Sequence, residues 1–331
     1  MKETIYVFSN GRLKRKDNTL FFENVDGIKN YIPVENVKEI YAYGEIDLNS
    51  KVLNFLSKKE IILHYFNYYG YYAGSFYPRE HYNSGFMILQ QVEHYQDDAK
   101  RLILAKKFIE GAAKNCLKIL KYYNRRDKDL TKYINEIHEF LKIVYLQPSI
   151  NAAMAFEGQI KQTYYRAFND IIDNPEFAFE KRSKRPPKDY INTLISFSNS
   201  IIYTQVLSEI YQTHLDPRIG YLHTTNFRRF TLNLDVAELF KLIIGDRTIF
   251  SVLNKKMITE NDFDKKFDGI ILKESGKKKF LQTLEERMKQ TIKHSGLKRR
   301  ASYRRLIRLE LYKLEKHLMN EEQYKPFVMD W

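Results

Sequence analysis

Cysteine is all but missing from this chain, with Cys116 the single example in 331 residues. A lone thiol closes no intrachain disulfide and builds no cysteine-based zinc site. That excludes disulfide scaffolds and zinc fingers, and it leads to the expectation of a reducing, cytoplasmic setting. Glycine and proline are scarce too, at 13 and 8 residues, too few for collagen-like, linker-rich or low-complexity chains. Long apolar runs are absent. No segment approaches the roughly 20 apolar residues that cross a bilayer, and Met1 to Lys16 holds no stretch that reads as a signal peptide. The expectation is an intracellular protein without membrane contact.

What the chain does contain is enough to build cores. The apolar fraction is 44%, with 25 Tyr and 22 Phe, and the length suits one large or two modest domains. The charge is lopsided: 55 Lys and Arg against 41 Asp and Glu leave a net +14. Residues 1–85 are almost balanced, with 11 basic and 10 acidic side chains, so nearly all the excess lies beyond them. Residues 273–325 carry 16 basic and 7 acidic groups. An excess this concentrated points to a polyanion, with nucleic acid ahead of a merely solvated basic face.

Hydrophobic periodicity divides the chain in the same place as the charge. Over residues 1–85 an alternation of two, rich in aromatics, predicts short strands at 4–8, 20–22, 37–43, 61–67 and 71–76. One amphipathic helix interrupts them, capped by Asp47 or Asn49, with Leu48, Val52, Leu53 and Leu56 on its stripe. The tyrosines at 65, 68, 69, 71 and 72 read as sheet core and interface in this uncharged setting. After Pro78 and the polar residues 79–84 the period lengthens to about 3.6. Helices are expected over 86–124, 129–144, 151–173, 188–213, 233–253 and 277–320. The fold class is therefore α+β: a small N-terminal β domain, residues 1–85, then a larger all-α domain, residues 86–331.

Candidate chemistry lies where polar groups interrupt an apolar pattern. Glu157 stands one turn from Ala153 and close to Ile160 on a stripe that continues through Tyr164, and a carboxylate there is hard to bury unpaired. A pair with Lys161, four residues on, is the plain alternative. His223 ends the turn Gly220-Tyr221-Leu222-His223. Asp235 and Glu238, three apart, leave one face of a helix near its start, where acidic groups also suit the helix dipole. One imidazole with two or three carboxylates on a basic body suits a hard divalent ion, Mg²⁺ or Mn²⁺, better than zinc. Such an ion serves phosphoryl transfer on DNA. Arg300, Arg304 and Arg308 recur every four residues and, on one helix, would form a cationic face for phosphates, or else a surface for an acidic partner or second subunit.

Three stretches carry a family resemblance: Phe156-Glu157-Gly158 leading to Tyr164-Tyr165; Arg185-Pro186-Pro187 with Asp189, Asn192, Leu194 and Ser196; and Leu215-Asp216-Pro217-Arg218-Ile219-Gly220-Tyr221-Leu222-His223 ending in Leu234-Asp235-Val236-Ala237-Glu238. In this order and spacing the chain resembles the CRISPR-associated integrase, the universal endonuclease-like subunit of CRISPR adaptation, over essentially its whole length.

The resemblance implies an enzyme: a metal-dependent DNA endonuclease and integrase that inserts short foreign DNA segments into a CRISPR array by transesterification. It maps the Mg²⁺ or Mn²⁺ ligands, and hence the catalytic site, onto Glu157, His223 and Glu238, with Asp235 supporting them. It implies double-stranded and branched DNA as substrates, a homodimer formed through the β domains, and assembly with the small ferredoxin-like adaptation subunit. A metal-independent helical DNA-binding scaffold is the reading from a different class.

Overall fold

In the computed structural model, period-two segments and period-3.6 segments fold into separate units, Met1–Asn83 and Ser84–Trp331. The structure describes residues 2–78, 82, 84–225, 230–266, 269–294 and 297–330, with backbone alone at 294 and 297–299. Most of the polar stretch at 79–84, where the sequence places the boundary, lies outside the described residues.

The first unit comprises β1 (Glu3–Val7), β2 (Gly11–Lys16), β3 (Thr19–Asn24), β4 (Lys29–Ile32), β5 (Val37–Ala42), β6 (Ile46–Asp47), α1 (Ser50–Lys59), β7 (Ile62–Phe66) and β8 (Tyr72–Phe76). They form two four-stranded sheets, ordered β1-β5-β7-β8 and β4-β3-β2-β6. Asn49 caps α1, its side chain accepting from the Val52 amide. Val7, Leu13, Leu20, Ile40, Val52, Leu56 and Leu63 belong to one core drawn from both sheets and the helix.

Strand β2 was not among the expected strands. Its Gly-Arg-Leu-Lys-Arg-Lys reads as polar, yet Leu13 alone among its side chains is fully buried, and its backbone pairs on both sides. Tyr65, Tyr68 and Tyr69 are exposed, which corrects their assignment to the sheet core.

Across the first sheet, opposite that core, lies a buried polar cluster. Glu39 accepts from Thr4 Oγ1 at 2.9 Å, His64 Nε2 lies 3.6 Å from Glu39 Oε2, and His64 Nδ1 is 2.6 Å from Ser75 Oγ. Burial lowers the His64 pKa, with Glu39 pulling the other way.

The second unit is mainly helical: α2 (Gly85–Gln96), α3 (Asp98–Asn124), α4 (Thr131–Leu146), α5 (Ile150–Arg166), α6 (Phe168–Ile171), α7 (Tyr190–Ile210), α8 (Thr231–Phe240), a π turn (Lys241–Asp246), α9 (Arg247–Asn254), α10 (Glu274–Lys289) and α11 (Tyr303–Leu318). It is not all-α. Strands β9 (Phe263–Lys265) and β10 (Ile270–Leu272) pair antiparallel, as do β11 (Thr291–His294) and β12 (Leu297–Ser302). Helix α7 is buried around nearly its whole circumference and packs on α8, the π turn and α11.

Four of the six expected helices are divided, 151–173 between α5 and α6 and 233–253 by the π turn, and two others more sharply. The 86–124 segment breaks at Asp97, whose carboxylate accepts from the amides of Ala99 and Lys100 and so starts a new helix inside an unbroken hydrophobic pattern. The 277–320 segment is interrupted by the β11–β12 hairpin, where β-branched Thr291 and Ile292 pair with Ser302 and Ala301.

Candidate active site

Helix α5 starts at Ser149, whose hydroxyl accepts from the Ala152 amide, and buries Ala153, Ile160, Thr163 and Tyr164. Glu157 belongs to that inward stripe, so its carboxylate is drawn against the rest of the unit and is mostly buried. Helix α8 buries Asp235 and Glu238 on neighbouring turns.

The two glutamates meet through a lysine. Lys161 Nζ lies 2.5 Å from Glu157 Oε1 and 2.8 Å from Glu238 Oε2, and Lys241 Nζ lies 2.7 Å from Glu238 Oε1. The i,i+4 pair weighed from the sequence is therefore present, but it is half of a bridge between α5 and α8. Burial disfavours the Glu238 anion, yet the Lys161 and Lys241 ammoniums outweigh it and hold the carboxyl well below the usual range. Burial likewise opposes the charge on Lys161, and Glu238 and Glu157 overcome it, raising its pKa.

His223 is positioned by Asp235. The Asp235 carboxylate is fully buried and accepts from three successive amides, Tyr221 at 2.6 Å, Leu222 at 3.0 Å and His223 at 3.0 Å. It also meets His223 Nδ1 at 2.7 Å, which makes Nδ1 the protonated nitrogen and directs Nε2 elsewhere.

The turn before His223 is held from several sides. Gln91 of α2, fully buried, accepts from the Asp216 amide and donates to the carbonyls of Asp216 and Ile219. Thr231 Oγ1 accepts from the Gly220 amide. A Cβ on Gly220 would stand 2.5 Å from the Thr231 backbone carbon and 2.6 Å from the Leu232 nitrogen, so only glycine allows this approach.

Beside the carboxylates, Asp246 at the end of the π turn is buried, and burial pushes its carboxyl up to about 8 against the pull of Tyr164, Lys241 and Arg182. Arg182 Nη1 donates to Asn192 Oδ1 and Nη2 to Ser196 Oγ, fastening the segment before α7 to that helix. A π turn starting three residues after Glu238 fits the frequent placement of such turns at functional sites.

Of the residues singled out in the sequence, Glu157 and Glu238 are brought together, and His223 and Asp235 are brought together. As the side chains stand, no group of three His, Cys, Asp or Glu among the described residues is arranged around an ion, the three ligand candidates included. Between Glu157 and Glu238 the Lys161 ammonium takes the place of a cation. The donor set still suits a hard divalent ion, since two carboxylates surround a positive charge and an imidazole has its second nitrogen pinned.

The arginines require correction. Arg300 lies on β12, donating to Thr291 Oγ1 and the Thr291 carbonyl, so it shares no helical face with the other two. Arg304 and Arg308 lie on α11 but are paired within the chain, Arg304 with Glu285 at 3.2 Å and Arg308 with Glu209 at 2.7 Å. The cationic stripe expected at 300, 304 and 308 does not exist, because two elements share that sequence and the carboxylates of half-buried Glu285 and buried Glu209 claim the guanidiniums of Arg304 and Arg308.

Gln91, Lys241, Asp246 and Arg182 were not anticipated. For Gln91 a signal was available: Met87, Gln91 and His94 share the buried face of α2, and an amide on such a stripe demands partners.

Residues 5–286 match the family described as CRISPR associated protein Cas1. The chain is 58% identical over all 331 residues to a CRISPR-associated endonuclease Cas1 of Thermodesulfovibrio yellowstonii, covering both chains completely. It is 49% identical to that of Fusobacterium nucleatum, over 100% of this chain and 98% of the relative. Among solved structures, a Cas1 protein from Thermotoga maritima superposes with a TM-score of 0.87 at 45% identity, over 99% of this chain and 100% of the other. A casposase bound to integration product shares the fold, with a TM-score of 0.86 at 19% identity over 99% of this chain and 93% of that one.

Proposed function

Since the chain belongs to the CRISPR-associated protein Cas1 family, we propose that it is a metal-dependent DNA endonuclease and integrase of CRISPR adaptation, inserting short foreign DNA segments into a CRISPR array. The observation that carries this reading is the pair of mostly buried carboxylates, Glu157 and Glu238, held around one positive charge, with the His223 ring locked by Asp235.

Glu157, Glu238 and the Nε2 of His223 would hold Mg²⁺ or Mn²⁺. When bound, the ion supplies Lewis-acid polarisation of a phosphodiester and lowers the pKa of a nearby oxygen nucleophile. The chain's own groups prepare the place. Lys161 keeps the two carboxylates close without mutual repulsion, Lys241 balances Glu238, and Asp235 fixes the tautomer and direction of the imidazole.

The reaction is a transesterification. The 3′-hydroxyl oxygen of the incoming duplex bonds to the scissile phosphorus, the P–O3′ bond of the target strand breaks, and the proton passes on balance from attacking to leaving oxygen. Phosphodiesters are conserved in number, so no nucleotide cofactor is consumed. Double-stranded and branched DNA are the substrates, and the excess of positive charge beyond residue 85 favours their approach. The near-neutral first unit serves as the homodimer surface. A solved Cas6-RT-Cas1–Cas2 complex that shares the fold supports assembly with the small ferredoxin-like adaptation subunit.

The test is alanine substitution of Glu157, His223 and Glu238 one at a time, with circular dichroism to confirm folding. Each is expected to abolish Mn²⁺-dependent strand transfer on branched DNA while binding that DNA as before. Undiminished strand transfer in the folded Glu157→Ala or Glu238→Ala protein would overturn the reading and favour a metal-independent scaffold.

A further inference from the structure

The last twelve described residues, Met319–Asp330, form neither helix nor strand, yet Tyr324, Phe327 and Met329 are buried. Their route is set by hydrogen bonds from two helices. Glu310 of α11 accepts from the Tyr324 hydroxyl at 2.5 Å and from the Phe327 amide at 2.9 Å. Asn115 of α3, fully buried, makes three of the four hydrogen bonds open to its side-chain amide at one point. Its Nδ2 donates to the Phe327 carbonyl and to the Leu239 carbonyl, each at 3.1 Å, and its Oδ1 accepts from the Met329 amide at 2.8 Å.

Leu239 is the residue after Glu238, and two residues beyond it the α-helix widens into the π turn. The tail therefore lies against the end of the helix that presents Glu238. Two further contacts hold the same junction. The rings of Phe240 and Phe327 stack with centroids 5.8 Å apart and planes 11° from parallel. One turn before Asn115, Gly111 allows the close approach: a Cβ there would stand 2.6 Å from both Leu239 Cδ2 and Pro326 Cβ.

We infer that Asn115 is a positioning residue and the C-terminal tail a strap that together fix where α8 ends and so where the Glu238 carboxylate stands relative to Glu157. This rests on the reading of Glu238 as a metal ligand. It assigns to residues 319–330 a part in the site although none of them reaches it. The physical basis is that a π turn is a poorly constrained joint, and an external donor to the carbonyl just ahead of it pins its starting point. Outer supports of a ligand commonly change metal affinity about 10–100-fold when removed.

The experiment uses the full chain with Asn115→Asp and Phe327→Ala, and a third variant ending at Asn320. Asn115→Asp keeps the acceptor for Met329 but sets a carboxylate oxygen against two carbonyls. Mn²⁺ affinity is measured by electron paramagnetic resonance of the free ion, beside strand-transfer rate, affinity for branched DNA and thermal melting. Variants that melt cooperatively are expected to bind Mn²⁺ about 10-fold or more weakly and to transfer strands correspondingly slowly, with DNA affinity unchanged. Arg304→Ala, which weakens the fold away from this junction, should keep wild-type Mn²⁺ affinity.

Wild-type Mn²⁺ affinity in any folded variant that removes the Asn115 or Phe327 contacts overturns the inference. So does failure of all three to fold, since the junction would then serve the core alone. Glu238→Ala separates the two readings. If it binds Mn²⁺ as the wild type does, the ligand assignment fails and the strap argument with it; if it loses Mn²⁺ while the junction variants do not, only the strap argument fails.

Discussion

Glu157 and Glu238, on helices far apart in the chain, share the ammonium of Lys161, 2.5 Å from one carboxylate and 2.8 Å from the other. Lys161→Met should leave the carboxylates facing one another without that charge. The expected loss is about 1–3 kcal/mol without divalent ions, below the roughly 3–5 kcal/mol of a fully buried pair because Lys161 is a third exposed. Added Mn²⁺ should then raise the melting temperature more in the variant than in the wild type, since it no longer competes with a tethered cation. Equal melting temperatures in metal-free buffer would contradict the bridge.

Arg308→Ala removes the guanidinium partner of Glu209, which is almost wholly buried. A loss of about 2–4 kcal/mol is expected, with a smaller loss for Arg304→Ala. The salt dependence of DNA binding should keep its slope in both, because these charges are spent inside the chain. A slope lower by about one unit per variant in a salt titration would restore the phosphate-binding role that their spacing suggested.

Gly220→Ala places a methyl against the Thr231–Leu232 backbone, which cannot rotate aside. The turn carrying His223 must then shift away from Asp235. Destabilisation of about 1–3 kcal/mol and a marked loss of strand transfer are expected. Gly158→Ala, beside Glu157, meets nothing within 4 Å on a helix and should stabilise by about 0.5–1 kcal/mol in chemical denaturation. A comparable loss of stability at both positions would refute the packing argument.

The buried His64 is kept neutral by desolvation, so its folded pKa lies below the unfolded value near 6.5. Above that value neither state binds the proton and His64 adds no pH dependence. As pH falls through it, the unfolded chain takes up a proton that the folded chain resists, and stability declines. Melting curves from pH 8 to pH 5 should therefore fall more steeply for the wild type than for His64→Asn. Parallel profiles would exclude His64 as a source of the acid sensitivity.

Much of the architecture was legible in one dimension, because hydrophobic period follows directly from backbone geometry. Alternation before residue 85 and a 3.6 repeat after it separated a strand-rich from a helix-rich part, and the α+β class followed. Glu157 was legible as a carboxylate on an apolar stripe, and Asp235 with Glu238 as two acids on one helical face. Both signals arise within a single element, where neighbours in sequence are neighbours in space.

Tertiary structure decided whatever depends on elements meeting. Nothing in the spacing shows that Lys161 reaches Glu238 as well as Glu157, or that Asp235 accepts three amides from the turn at 221–223. The arginines at 300, 304 and 308 illustrate the same limit in reverse. Their regular spacing describes a charged stripe only if one helix carries all three, and the hairpin before α11 separates the first, while Glu285 and Glu209, distant in sequence, claim the others. Local pattern determines which face of an element turns inward; which charge it finds there is set by long-range packing, and a buried charge takes the partner that packing supplies.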